Sequence, residues 1–257
     1  VVRQQLERPE ALDVGVVDIG GGRVMALTAD PVFIVPQYGW ARAAWFAVHI
    51  LASDAATSGL PPCWMTVDLN LPLSMTRDEL AEMWQTFSAE ARKLGIAIIA
   101  GHTGRYAGCD YPMVGGATVM SIGPSESYVT PKGASVGDIV IITKGAAIEA
   151  AGLFAVTFPA KVAAAYGDDF ARAAEEIFYQ MTVVEDCITA VAAGVRDDGV
   201  TAMHDATECG VWGGLFEVAE ASGVGMAIDK GAIIVQDAVA KICDLFEIDP
   251  FTSISEG

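Results

Sequence analysis

Residues 200–223 read "VTAMHDATECGVWGGLFEVAEASG". His204, Asp205, Thr207 and Glu208 stand beside Gly210, Gly213 and Gly214, where a strand-like run gives way to a helix-like one. Imidazole and carboxylate groups can move protons or hold a cation. A helix N-terminus offers unpaired N–H groups and a partial positive charge, which suit phosphate. Glycines there let a ligand or another backbone come close, because they carry no Cβ. The plain alternative is capping: Asp205 or Thr207 satisfies the helix start and the glycines serve helix packing. Taken alone, His204 reads as a hydrogen-bonded structural histidine before it reads as a general base.

Further acids follow apolar runs. Asp30 in "ALTADPVF" closes a strand just before a proline, and Asp54 in "ILASDAATSGLPP" sits near the end of an apolar helix. A carboxylate in such a place is costly unless it is paired, hydrogen-bonded or metal-bound. Asp54 could equally bond the Ser/Thr/Gly turn that follows it. "LDVGVVDIGGG" offers Asp13 and Asp18, one for a metal and one for the glycine turn. Several separated acids of this kind suit magnesium, which takes hard oxygen ligands and bridges phosphates. "IIAGHTGRY" joins a strand to a turn holding Gly101, His102, Thr103, Gly104 and Arg105. That turn can present backbone N–H groups and a hydroxyl to phosphate, with Arg105 adding charge or forming an ordinary surface ion pair. No Walker, GxGxxG or HExxH pattern is present.

The elements that must position these groups are legible in outline. Strands are expected over 24–28, with Thr28 at the end, then 64–71, 96–100 and 114–123. Residues 40–59 read as a helix that is apolar nearly all round. Residues 76–95 are the clearest helix, with Thr76 and Glu79 as a capping box and Gly95 as its stop. "GPSESYVTPKGASVGD" (123–138) gathers Gly, Pro and Ser as a linker. Beyond it "DIVIITKG" reads as a strand ending at Lys144-Gly145, followed by helices over 147–157 and 169–193. A strand at "GVTAM", the helix from near Gly210, a strand at "VGMAID" and a helix at "QDAVAKICDLFEI" complete the chain. The fold class is α+β in two domains, 1–128 and 129–257, joined near residue 130.

The 257 residues carry a formal net charge of −18 and are 53% hydrophobic. That balance supports a packed core and argues against nucleic acid or an anionic membrane surface as partner. Five cysteines, none in a CxxC pair, suit a reducing compartment. No apolar run is long enough for a membrane span and no signal peptide is legible, so the expected location is cytoplasmic.

In this order the segments resemble one family, the AIR-synthase-like ATP-binding superfamily, and its HypE-like branch most. "TADPVF" is similar to the family's strand with a terminal Asp, and "ASDAATSGLPP" to its Asn-Asp-x-x-x-x-Gly-x-x-Pro element. "AGHTGRY" stands where the family has Gly-Gly-Asp/Glu-Thr, and "GDIVIITKG" resembles the strand opening its second domain. "MHDATECGVWGGLFEVAEASGVGMAID" resembles the Arg/His-Asp-Pro-Thr-x-Gly-Gly segment, and "LFEIDPFTSISEG" the Asp-Pro-Leu…Glu-Gly stretch. The resemblance runs from about residue 12 to 257. It implies an N-terminal domain that pairs with a second subunit's to build a β-barrel, and a C-terminal α/β domain that in the family continues past the position of Gly257. It implies ATP between them, with Mg²⁺ on Asp13, Asp30, Asp54 and Asp205. His204 and Asp205 are then the catalytic candidates. Asp13, Thr28, Asp30, Asp54, Gly101, His102, Thr103, Lys144, Thr207, Glu208 and Gly210 line the nucleotide. The implied activity is phosphoryl transfer that activates a carbonyl, amide or phosphate oxygen of a small-molecule or protein-tail acceptor. A maturation scaffold with little catalysis and a thiamine-monophosphate-kinase-like kinase are the alternatives. The sequence departs from the pattern at His102, where the family has an acid, at Ala206 for Pro, at Cys209 for Gly, and at Leu12-Asp13-Val14 for Gly-Asp-Asp.

Overall fold

The structure, a computed structural model, describes residues 14–256. Asp13 lies outside the described residues. Among them the first half forms one sheet of five strands in the order β1-β2-β5-β3-β4. The strands are β1 (Gly15–Gly20), β2 (Arg23–Phe33), β3 (Pro62–Pro72), β4 (Ala97–Tyr106) and β5 (Met113–Pro124). All neighbours run antiparallel except β3 and β4, which are parallel and joined by helix α2 (Arg77–Lys93). The turn between β1 and β2 needs left-handed backbone at Gly20, Gly21 and Gly22. Asp18 accepts the Gly20 N–H there at 2.7 Å, so Asp18 belongs to the turn. The sheet is open at β1 and β4; it is not a closed barrel within this chain.

One face of the sheet is packed and the other is bare. Val32, Met65, Val67, Leu69, Leu71, Ala117 and Val119 point inward onto α1 (Trp40–Ala56) and onto Met83, Phe87 and Ala91 of α2. The alanine-rich face of α1 (Ala43, Ala44, Ala47, Ala52, Ala55) lets that helix lie close to the strands. The opposite face leaves Val17, Ile19, Phe33, Trp64 and Met113 exposed. α2 starts as its sequence requires. The Thr76 hydroxyl accepts from the Glu79 N–H, and Glu79 accepts from the Thr76 N–H at 2.7 Å. Thr76→Ala is expected to cost about 1 kcal/mol in a denaturant melt, the usual worth of such a cap.

The second half is helical and irregular. It holds α3 (Ile148–Thr157), α4 (Pro159–Tyr166), α5 (Asp168–Glu175), α6 (Val184–Ala192), α7 (Gly210–Ser222) and α8 (Asp237–Phe246). The expected strands near 138–145, 200–203 and 224–229 do not form ladders; among the described residues of this half the pairing is a single Val195–Val200 bridge. A strand is held by a ladder of backbone bonds; Thr201 Oγ1 donates to Asp138 Oδ2 at 2.7 Å, but no such ladder joins these segments. Ile139 and Ile141 are accordingly 86% and 83% exposed. The expected helix over 169–193 is broken after α5 by tertiary bonds. Val183 N–H donates to Ser53 Oγ at 3.0 Å, and Thr182 Oγ1 meets His49 Nδ1 at 3.0 Å, both on α1. Val183, Val184 and Cys187 join the core under the sheet, so the two halves share buried surface. A second core gathers α3, α5 and α8 around Ile148, Phe178, Met181 and Ile242, with Phe46 of α1 reaching into it. No single helix among the described residues is long and apolar enough to cross a membrane.

Candidate functional site

Three carboxylates from distant parts of the chain meet where the halves join. Ligand oxygens of Asp54, Asp205 and Glu256 lie within 4.8 Å of one another. Asp54 is in the last turn of α1, where the helix dipole already disfavours negative charge. The turn after it does not use its carboxylate: Thr57 Oγ1 donates to the Asp54 backbone carbonyl at 2.7 Å. The carboxyl group is therefore left for the cluster. Asp30 lies on the inner face between Thr28 and Val32 and hydrogen-bonds the Asp54 side chain; it does not close the strand as expected, because β2 pairs with β5 through Pro31 to Phe33. Burial pushes the Asp54 carboxyl up to about 11, with the charges of Asp205, Asp30 and Glu256 adding to it.

Asp205 and Glu256 are brought together by backbone. Ala206 O accepts from both Ser255 N–H (2.9 Å) and Glu256 N–H (3.2 Å). The same strand of chain caps α3. Glu149 N–H donates to Ser255 O and Ala150 N–H to Ile254 O, each at 3.0 Å, satisfying first-turn donors that have no partner within the helix. Asp205 is 3% exposed and its Oδ1 has no hydrogen-bond partner among the described residues; the same holds for both oxygens of Glu256. Burial, then the Asp205 and Glu149 charges, hold Glu256 well above the usual carboxylate range. Glu149, in the first turn of α3, is raised to about 8 by burial and by Asp205 and Glu208. Buried carboxylates this close repel strongly unless protons or a cation neutralise them. The donor set is all oxygen, which suits Mg²⁺ or Ca²⁺ over a transition metal.

The other expected site residues fall in several places. Thr28 is buried on the inner face two positions before Asp30, its hydroxyl without a hydrogen-bond partner. Lys144 has left-handed backbone and ion-pairs with Asp186 at 2.7 Å. Thr207 donates to Glu208 at 2.8 Å in an exposed turn. The expected turn at 101–105 is instead the second half of β4. Gly101 lies in one inner-face row with Asp30, Ala117 and Val67, and a Cβ there would sit 2.3 Å from Val67 O. Its lack of side chain serves strand pairing. Strand alternation puts His102 on the other face beside Asp68, where Nε2 meets Tyr106 Oη at 2.9 Å. The Tyr106 ring lies over Gly104, in space a Cβ would fill. Thr103 is exposed opposite Leu69, and Arg105 donates to Leu73 O. The structure thus brings Asp30, Asp54 and Asp205 together and leaves His102 outside that group.

The glycines of the 200–223 stretch also have a physical reason. A Cβ on Gly210 would lie 2.4 Å from Ser253 O, and one on Gly213 2.1 Å from Glu208 O. These positions let α7 press against the chain's own backbone, so the packing alternative holds for both. Glu256 and Glu149 were not among the expected site residues. The signal for Glu149 is an acid inside the apolar run "AAIEAAGLF"; for Glu256 it is the Glu-Gly pair ending "SISEG".

Family models described as AIR synthase related protein match residues 12–122 with their N-terminal domain and 135–257 with their C-terminal domain. The chain belongs to the AIR synthase related proteins. Carbamoyl dehydratase HypE of Escherichia coli K12 is 25% identical over 211 residues, 80% of this chain and 57% of that protein. HypE of Azotobacter vinelandii is 23% identical over 241 residues, 92% of this chain and 66% of its own length. This member of the family thus spans less than two thirds of either relative. Among solved structures, thiamine monophosphate kinase from Aquifex aeolicus superposes with a TM-score of 0.76 at 17% identity, covering 99% of this chain and 84% of that one. Escherichia coli HypE, a hydrogenase maturation protein, gives 0.71 at 23% identity, covering 90% and 68%. At these identities the structural likeness shows the fold alone.

Proposed function

We propose that this AIR synthase related chain binds ATP with Mg²⁺ and transfers a phosphoryl group to an oxygen of an acceptor. The observation that carries the reading is the convergence of Asp54, Asp205 and Glu256, with Asp30 behind them, in a buried group where carboxyl groups outnumber the cationic neighbours. Asp30, Asp54, Asp205 and Glu256 would hold the cation, and Asp13 joins them as an expectation from sequence. When bound, Mg²⁺ neutralises charge that develops on a transferring phosphoryl group. The protein's part is to keep the carboxylates aimed at one point and dry, which strengthens their hold on a cation. The Lys144–Asp186 pair borders Glu256 and keeps a positive charge near the site without discharging the cluster. Likeness in fold to thiamine-monophosphate kinase with AMPPCP bound, and to HypE in complex with ATP, supports a nucleotide.

The acceptor is proposed as a carbonyl, amide or phosphate oxygen, on a small molecule or a protein tail. A nucleotide-binding scaffold with little catalysis is the second reading, favoured by His102 facing away from the cluster. We further propose a homodimer in which a second copy covers Val17, Trp64 and their neighbours on the bare sheet face, closing the barrel. An exposed apolar patch of this kind marks an association surface. Calorimetric titration of ATP is expected to show binding with Mg²⁺ and at least tenfold weaker binding with EDTA, on a species that sediments as a dimer. Equal affinity in both buffers would remove the metal from the reading, and a monomer would remove the barrel. ADP release over a panel of acceptors then separates enzyme from scaffold.

A further inference from the structure

Ser255 is wholly buried and stands next to Glu256 of the cluster. Its backbone is held on both sides. The N–H donates to Ala206 O at 2.9 Å, and the carbonyl accepts from Glu149 N–H at 3.0 Å. Any residue could make those two bonds. The hydroxyl adds a third that depends on serine: Oγ donates to Gly145 O at 2.7 Å. Ile148 N–H faces the same oxygen from 3.5 Å, a longer contact. One residue thus joins the 145–149 turn into α3, the chain just after Asp205, and the segment that carries Glu256.

We propose that Ser255 is a positioning residue whose hydroxyl fixes the backbone that carries Glu256 into the cation site. The proposal rests on the metal reading above and adds to it a residue that is not itself a ligand. Glu256 has left-handed backbone, with φ at 52°, a conformation that costs energy for any residue with a Cβ. Asp54 and Asp205 also repel its carboxylate within the cluster. Both effects favour a chain path that takes the side chain out of the site. A residue stays in so sparsely populated a conformation only where its surroundings over-determine it. The bond from Ser255 Oγ to Gly145 O supplies that hold one residue away.

The acceptor is a firm anchor. Gly145 has φ at 120°, and a Cβ there would lie 2.5 Å from Ile234 O, so the turn presses closely on the chain before α8. Ala146 N–H donates to Ile234 O at 2.9 Å, and Gln236 Nε2 donates to Lys144 O at 3.2 Å. The 144–146 turn is thus tied to the start of α8 on one side and, through Ser255, to Glu256 on the other. The Ala206 side is anchored as well, since His204 Nε2 meets Glu217 Oε2 of α7 at 2.7 Å. Helix α3 cannot do this work alone: its N-cap residue, Ala147, has no side chain with which to cap.

The test uses the full chain and Mn²⁺ as probe, with free Mn²⁺ counted by EPR. Ser255→Ala is expected to weaken Mn²⁺ binding by about tenfold, the usual cost of removing a group behind a ligand. A double-mutant cycle then asks whether the loss passes through Glu256. Made on top of Glu256→Ala, the same substitution is expected to change the affinity by less than about twofold. A role in packing alone lowers the melting temperature of Ser255→Ala and leaves the Mn²⁺ affinity of the folded protein at the wild-type value; that result overturns the proposal. An undiminished loss in the Glu256→Ala background overturns it too, because the hydroxyl then acts elsewhere. Ser255→Cys, close in shape but a weak donor, serves where the alanine chain does not fold. It is expected to lose about threefold or more, and wild-type affinity in it counts against the proposal in the same way. Wild-type protein that binds no Mn²⁺ overturns the metal reading and this proposal with it, and is told apart because it shows before any variant is compared.

Discussion

Asp54→Asn is expected to move metal affinity and metal-free stability in opposite directions. Asparagine keeps the shape of the side chain and removes its charge. With Mg²⁺ and ATP present, loss of one anionic ligand is expected to weaken binding by more than about 100-fold, beyond the cost of disturbing an outer group. In EDTA the same variant is expected to be more stable than wild type. The Asp54 carboxyl, ionised when unfolded at neutral pH, must take up a proton on folding because burial and three acids raise it to about 11. Asparagine has no such requirement. A gain on the order of 2 kcal/mol, read as about 5 °C in melting temperature, follows from that linkage. The bare sheet face is far from the substitution in role, so the dimer is expected to persist. A variant that loses stability in EDTA, or binds Mg·ATP as wild type does, removes Asp54 from the site.

Stability without metal is expected to fall as pH rises. Glu149 is raised by burial from the ordinary 4.5 to about 8 in the fold; Asp54 and Glu256 are raised as well. Folding therefore takes up protons between these values. The stabilising contribution is complete below about pH 4.5 and is lost as pH climbs toward 8, with a slope on the order of 1 kcal/mol per pH unit for each group. Free Asp and Glu side chains are ionised above about pH 5.5, which sets the lower edge of the window. His49 works the other way: burial lowers it from 6.5, so its contribution is lost as pH falls. Comparison of wild type with Glu149→Gln isolates the acid term. Chemical melts in EDTA from pH 5.5 to 8 are expected to decline less steeply for Glu149→Gln. Added Mg²⁺ is expected to remove most of the wild-type decline, because the cation replaces the protons, and its binding is expected to release protons in buffer-dependent calorimetry. A wild-type stability that is level or rising over this window in EDTA contradicts the cluster's assignment.

The sequence by itself determined the local elements whose signals lie within a turn or two of chain. The Thr76–Glu79 cap, the apolar run of α1, the glycine turn before β2 and the start of α7 near Gly210 were all legible, because each depends on neighbours in sequence. It also flagged Asp30, Asp54 and Asp205, since an acid after an apolar run is costly wherever the chain goes. What it could not decide was which residues meet. His102 and Gly101 are adjacent in sequence, yet strand alternation sends them to opposite faces, and only the β3–β4 register says which face is which. The run "DIVII" alternates as a strand does, but a ladder needs backbone pairing, and its contact with Thr201 is by side chain. Glu256 joins Asp54 and Asp205 through two hydrogen bonds to Ala206 O, and Glu217 reaches His204 because glycines let α7 sit close. Those contacts link residues far apart in the chain, and their energy comes from burial that exists only once both halves are packed.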